Sequence, residues 1–260
     1  MNSLILLSSF LSIALGIGRG ADIALGIDPA SGLCVAGSVW WRYAALGIAV
    51  LAAVLIGRRC AGKAGNARSR QPVAGVLAFV GAVCFLAAAG IQLMAGTASV
   101  SSLVRAVLQC ICAVWLITLG CSWLSRDGWK TPVGGLYLAV PGSVLFYWNV
   151  LMRFMENSSS WQRVDSTAAV WQELAALVLL AGLARALYLP KPENGRTLCA
   201  AGLAAFALCL CWQLPGTLQL MAGLGWAGMA VWPYLLADIG LCCVGGIGAV
   251  CAWACANGQT

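Results

Sequence analysis

Residues 73–90 read VAGVLAFVGAVCFLAAAG, eighteen consecutive positions without a charged, hydroxyl or amide side chain. A β-strand crossing a membrane would need only about ten residues, alternating apolar and polar. No such alternation occurs here. A helix of about twenty apolar residues covers roughly 30 Å of hydrocarbon. It also pairs its own backbone N–H and C=O groups, as lipid demands. The stretch therefore reads as a transmembrane helix.

Comparable runs recur along the chain, with spans expected at 4–18, 42–57, 72–95, 102–124, 133–152, 167–189, 198–222 and 227–253. The first two are short, so their ends are expected to run into the flanking loops. Of 260 residues 62% are hydrophobic and 9% charged, too little polar surface to cover a water-soluble body of that size. The fold class is all-α, a polytopic membrane helix bundle of about eight spans. The N-terminal run 1–18 has the alternative of a cleaved signal peptide. It lacks a basic leader and a small-x-small cleavage site, and is read as a retained helix.

Two segments resemble each other across the chain. IQLMAG at 91–96 returns as LQLMAG at 218–223, and an offset of about 130 aligns Trp41 with Trp171, Cys112 with Cys242 and Trp123 with Trp253. Either frequent apolar letters coincide, or a duplication built 1–130 and 131–260 as two four-helix repeats within one membrane domain. Four being even, such repeats share one polarity. We read the duplication.

Basic residues orient the bundle. Five fall on one side, Arg19, Arg42, Arg105, Arg153 and Arg163, and ten on the other, including Arg58, Arg59, Arg185 and Arg196. The ten-residue side is expected to be cytoplasmic, with both termini. The net charge of +7 belongs to these loops, with no aromatic-basic platform for nucleic acid. The expected partners are the lipid bilayer and other membrane proteins. Trp40, Trp41, Trp129, Trp161, Trp226 and Trp232 fall near span ends, as amphipathic rings at headgroups do.

Polar side chains within spans are costly and therefore informative. Glu173 and Asp238 lie a turn or two below the outer surface, with Gln92, Gln109, Asn149, Gln172 and Gln219 at similar depth and Arg105 and Arg153 at outer helix ends. The inner halves carry no ionisable residue. Either an outward-facing hydrated vestibule stands above an apolar plug, or the carboxylates pair with arginines and lock helices together. The candidate substrate-binding set is Glu173, Asp238, Gln92, Gln219, Arg105 and Asn149. Pro141, Pro215 and Pro233 are expected to break or kink the fifth, seventh and eighth helices.

Catalytic chemistry has little to stand on. Histidine is absent, and no phosphate-binding loop, Gly-x-Ser-x-Gly elbow or His-Glu-x-x-His occurs. Most of the thirteen cysteines sit in apolar runs, as small hydrophobes do; only Cys34 and Cys60 look loop-borne. No catalytic residue, metal ligand or cofactor is expected. The turn-rich loop at 28–32 reads as an outer hairpin, and Asn157-Ser158-Ser159 fits a glycosylation pattern to which we attach no weight.

The IDPASG loop at 27–32, the helix PGSVLFYWNVLMRF at 141–154, and VWQELAALVLLAGLARALYL at 170–189 followed by a basic loop are together similar to the uncharacterised polytopic membrane proteins common in gut Firmicutes. The resemblance implies a bacterial inner membrane and carries over no functional residue. Two functions are expected to compete: a sensor or assembly-type accessory protein, and a small-solute transporter, or the membrane subunit of one, with an outward-facing polar site.

Overall fold

The computed structural model describes residues 2–27, 34, 37–60, 67–94, 99–125, 130–156, 164–189, 191, 193–223 and 231–257. The 28–32 hairpin, the Asn157 pattern, Arg163, Trp129, Trp161 and Trp226 lie outside these residues. The helices are α1 (Asn2–Gly26), α2 (Val39–Cys60), α3 (Pro72–Met94), α4 (Val100–Leu124), α5 (Gly135–Glu156), α6 (Val164–Tyr188), α7 (Asn194–Ala205), α8 (Gln213–Gly223) and α9 (Trp232–Asn257). A π-helical segment, Phe206–Trp212, joins α7 to α8 without a break, so the described residues hold eight helices long and apolar enough to cross a membrane. The only β-pairing among them is one isolated bridge, Ile27 to Cys34.

The spans alternate in direction. Late α1 meets early α6 through Arg19 and Asp165, and early α4 meets late α5 through Arg105 and Asn149. At the opposite end Arg68, just before α3, donates to the carbonyl of Leu187 near the end of α6 at 2.8 Å. We call the first of these the upper end and the second the lower end.

The first helix is longer than its apolar letters indicate. It continues through Arg19 and Asp22 to Gly26 because the two, three residues apart and hence on one face, pair at 2.9 Å and cancel much of each other's charge. Trp40, Trp41 and Trp232 stand exposed at helix ends, where a headgroup layer would lie. Pro141 falls inside α5. Pro233, by contrast, is the second residue of α9 rather than an interior one. There its missing N–H is one that no preceding carbonyl needed.

The seventh span, α7 through α8, is the axis of packing. On one face Gly202 meets Gly248 of α9 so closely that a Cβ on Gly202 would lie 2.4 Å from the Gly248 carbonyl oxygen. On another, a Cβ on Gly57 of α2 would lie 2.4 Å from the Ala200 Cα. Lipid tails are as apolar as leucine, so helices in a membrane associate by close backbone approach over small residues rather than by escape from water. Around this axis the lower half is filled largely with Ala and Leu, and along the chain nine of the twelve described cysteines are buried, none in a disulfide. Cys199, for example, points its thiol at the Ala252 carbonyl oxygen across the α7–α9 contact.

The axis changes character at Phe206. Pro215 has no N–H to give the carbonyl of Cys211 four residues earlier, and the turn before it widens into the π segment. The displaced carbonyls find other neighbours. Gln172 of α6 donates its amide to Leu208 O at 3.1 Å, and Gly16 of α1 lies against Cys211 O, where a Cβ would come within 2.6 Å.

Candidate functional site

Above the π segment the interior turns polar. Two charged groups stand on either side of a cavity.

The first group joins α1, α2 and α6. Arg19, buried, bonds Asp22 at 2.9 Å and Asp165, while its guanidinium lies 4.7 Å from the ring centre of Trp212 in the π segment. Such a cation over an indole face is attracted by the ring's negative quadrupole. Arg42 grips the same Asp22 with two donors, Nε at 2.8 Å and Nη2 at 2.5 Å. Two guanidiniums thus face two carboxylates, and Asp22 bridges the pair.

The second group joins α4, α5, α6 and α9. Arg105 donates to Asn149 Oδ1 at 3.1 Å, and Asn149 passes its amide to Glu173 Oε1 at 3.2 Å. The amide of Asn149 is oriented by its neighbours: its oxygen must face the cation and its nitrogen the carboxylate. Arg105 also lies over Tyr234 of α9, 5.6 Å from the ring centre. Arg153 is within electrostatic reach of both Glu173 and Asp238, and Gln213 lies near Asp238 in the cavity wall. The second carboxylate oxygen of Glu173 and Nε of Arg153 are buried without a hydrogen-bond partner among the described residues.

Between the groups lies a cavity of about 660 Å³, within the size range of small-molecule sites. Charges of both signs reach it, Arg19 and Asp165 from one group and Arg153 and Asp238 from the other. Gln172, Gln213, Gln219, Ser166 and Trp212 supply neutral polar lining, and Ile23, Leu220 and Val231 the apolar part. Every lining residue belongs to the upper half of the bundle or to the π segment and α8. The π segment and the start of α8 therefore form part of the cavity wall.

Of the six residues singled out from sequence, Asp238 and Gln219 line this cavity. Arg105, Asn149 and Glu173 form the buried chain beside it. Gln92, half-buried on α3, is not among the lining residues. Neither carboxylate forms an ion pair with an arginine among the described residues: Glu173 is buried and held by the Asn149 amide, and Asp238 lies in the cavity wall. Sequence reading missed Arg19, Asp22, Arg42 and Asp165, because Arg19 and Arg42 were counted as loop charges. The signal was present in Arg19 and Asp22, whose spacing of three residues fits one helical face.

Among the described residues no group of three or more Cys, Asp or Glu side chains is placed to hold a metal ion. No protein-family model, curated protein or solved structure matches the chain. The fold defines the class: this is a multi-pass integral membrane protein, an all-α bundle of eight spans whose buried charged residues, among those described, all lie in the upper half.

Proposed function

We propose that the protein binds a small polar solute bearing both signs of charge, such as a zwitterion, in the upper cavity, and that it works as a transporter or the membrane subunit of one. The observation that carries this reading is the cavity itself, whose wall presents two arginines and two aspartates around a continuous helix distorted by a π segment. A sensor or assembly partner working through lateral contacts needs no solute-sized cavity with charges of both signs in its wall. Burying charge within a bundle costs free energy that structural locking recovers only when each group is paired. Here Asp238 and Arg153 face the cavity, so a solute could complete their partnerships.

The charge distribution supports an orientation with the upper end outside. Arg19, Arg42 and Arg105 are held by the polar groups inside the bundle, and Arg153 faces the carboxylates there, so they count little as loop charges. Arg58, Arg59, Arg68, Arg70, Arg185 and Arg196 all lie at the lower end. By the excess of basic residues on cytoplasmic loops, the lower end and both termini face the cytoplasm. A bacterial inner membrane fits this reading.

The test is a thermal-shift screen of the protein in lipid nanodiscs against free amino acids and other small zwitterions. At a concentration about a hundred times Kd a ligand adds about 2.7 kcal/mol to folded-state stability. We expect at least one compound to raise Tm, Asp238→Asn to abolish that shift, and Gln92→Ala to retain it. Stabilisation by none of the compounds, or an undiminished shift in Asp238→Asn, contradicts the proposal.

A further inference from the structure

A second concavity, about 410 Å³ and predominantly apolar, lies in the lower half between α2, α6 and α7. Val54, Leu174, Val178 and Leu208 form its walls, and alanines of α7 its floor. Arg58 and Thr197 close its lower end. From Thr197 to Leu208 the helical rise is about 16 Å at ~1.5 Å per residue. That is close to half of a hydrocarbon core of about 30 Å, the depth of one leaflet.

The charge at the lower end is one-sided. The same three helices bring Arg58 and Arg59, Arg185 and Arg196 to this level. None of the four forms an ion pair among the described residues. Glu193 is the single carboxylate described at that end. Arg58 is exposed, with its stem along the groove and its head free for the headgroup layer, as long basic side chains arrange themselves at a membrane boundary.

We propose that this groove is a binding site for one anionic phospholipid, an acyl chain lying between α6 and α2 and the phosphate resting on Arg58 and the Thr197 hydroxyl. A neighbouring helix fits it less well. It would meet several like charges at its end. A single chain with a phosphate at its head meets both the slot and the charge.

The test uses the full-length protein purified in detergent and stripped of lipid, with native mass spectrometry and thermal unfolding as readouts. The probes are phosphatidylglycerol, phosphatidylcholine with the same acyl chains, and inorganic phosphate. We expect retention and stabilisation by phosphatidylglycerol, with much weaker effects from the other two. Arg58→Gln should weaken phosphatidylglycerol binding roughly fivefold, the equivalent of about 1 kcal/mol for one arginine at an anionic surface. Val178→Trp, at an exposed position, should fill the slot and abolish retention of a bound lipid. Both positions face outward, so gel filtration should show both variants folded; the comparison of lipids on the unmodified protein stands without them. Equal stabilisation by phosphatidylcholine or by phosphate would overturn the proposal. So would undiminished phosphatidylglycerol binding in both variants, or a dimer that cross-links through Val178→Cys.

Discussion

Asp22→Ala loosens the upper end of the bundle more than any other single charge removal. Asp22 bridges Arg19 and Arg42, and its loss leaves Arg42 without its two-donor contact and Arg19 with Asp165 alone. Removing one partner of a buried ion pair costs about 3–5 kcal/mol, because the other charge stays desolvated. Asp22 keeps a quarter of its side-chain surface exposed, which places the expected loss near the lower figure of that range. Asp165→Asn should cost clearly less, since Asp165 is more than half exposed and Arg19 keeps Asp22. The sharper check is a double-mutant cycle. Arg42→Leu in the Asp22→Ala background removes the guanidinium that has lost this two-donor contact and should recover part of the loss, a coupling that two independent sites would not show. Equilibrium unfolding in mixed detergent measures all four proteins.

The second large effect is expected at Gly202. A side chain there would enter the backbone of Gly248, and a backbone atom cannot rotate aside as a side chain can. Separation of α7 from α9 would have to push α7 toward α2. That route is closed by the contact of Gly57 with Ala200, two residues along the same helix and so on nearly the opposite face. Inserting methyl groups into a filled core costs about 1–3 kcal/mol, occasionally more. With both sides blocked, Gly202→Val should reach or exceed the top of that range and yield aggregated protein on gel filtration. Gly90→Ala is the control: nothing lies within 4 Å of a Cβ added there, so the variant should behave as the unmodified protein.

The architecture was largely legible because lipid imposes one strong rule. Uninterrupted apolar runs had to be helices, and all eight runs appear as crossing-length helices. The ends were less legible where charges cancel in pairs. Composition counts Arg19 and Asp22 as reasons to stop a helix, while their geometry lets α1 run on to Gly26. The distortion of the seventh span was marked by Pro215, but the span stays continuous, and its π form and the capture of Leu208 O by Gln172 depend on which helix lies alongside. Depth, too, could be read: Glu173, Asp238, Asn149 and Gln219 were grouped by level, and all four lie in or beside the upper polar region. Their division into locking and lining residues rests on helix rotation, which near-uniform apolar sequence does not encode.

The central claim is that the upper half of an eight-span membrane bundle holds an open, solute-sized cavity with charged residues in its wall, above a lower half without buried charge among the described residues. Thiol labelling of intact cells tests it most directly, in a background whose exposed native cysteines are replaced. Cysteine at Gln219 should react with a membrane-impermeant maleimide added outside. Cysteine at Glu173, buried beside the cavity rather than facing it, should remain protected, as should cysteine at Ala204 in the lower half. Protection at 219 in cells, persisting after the membrane is opened, would contradict the account, as would labelling at 204 from either side.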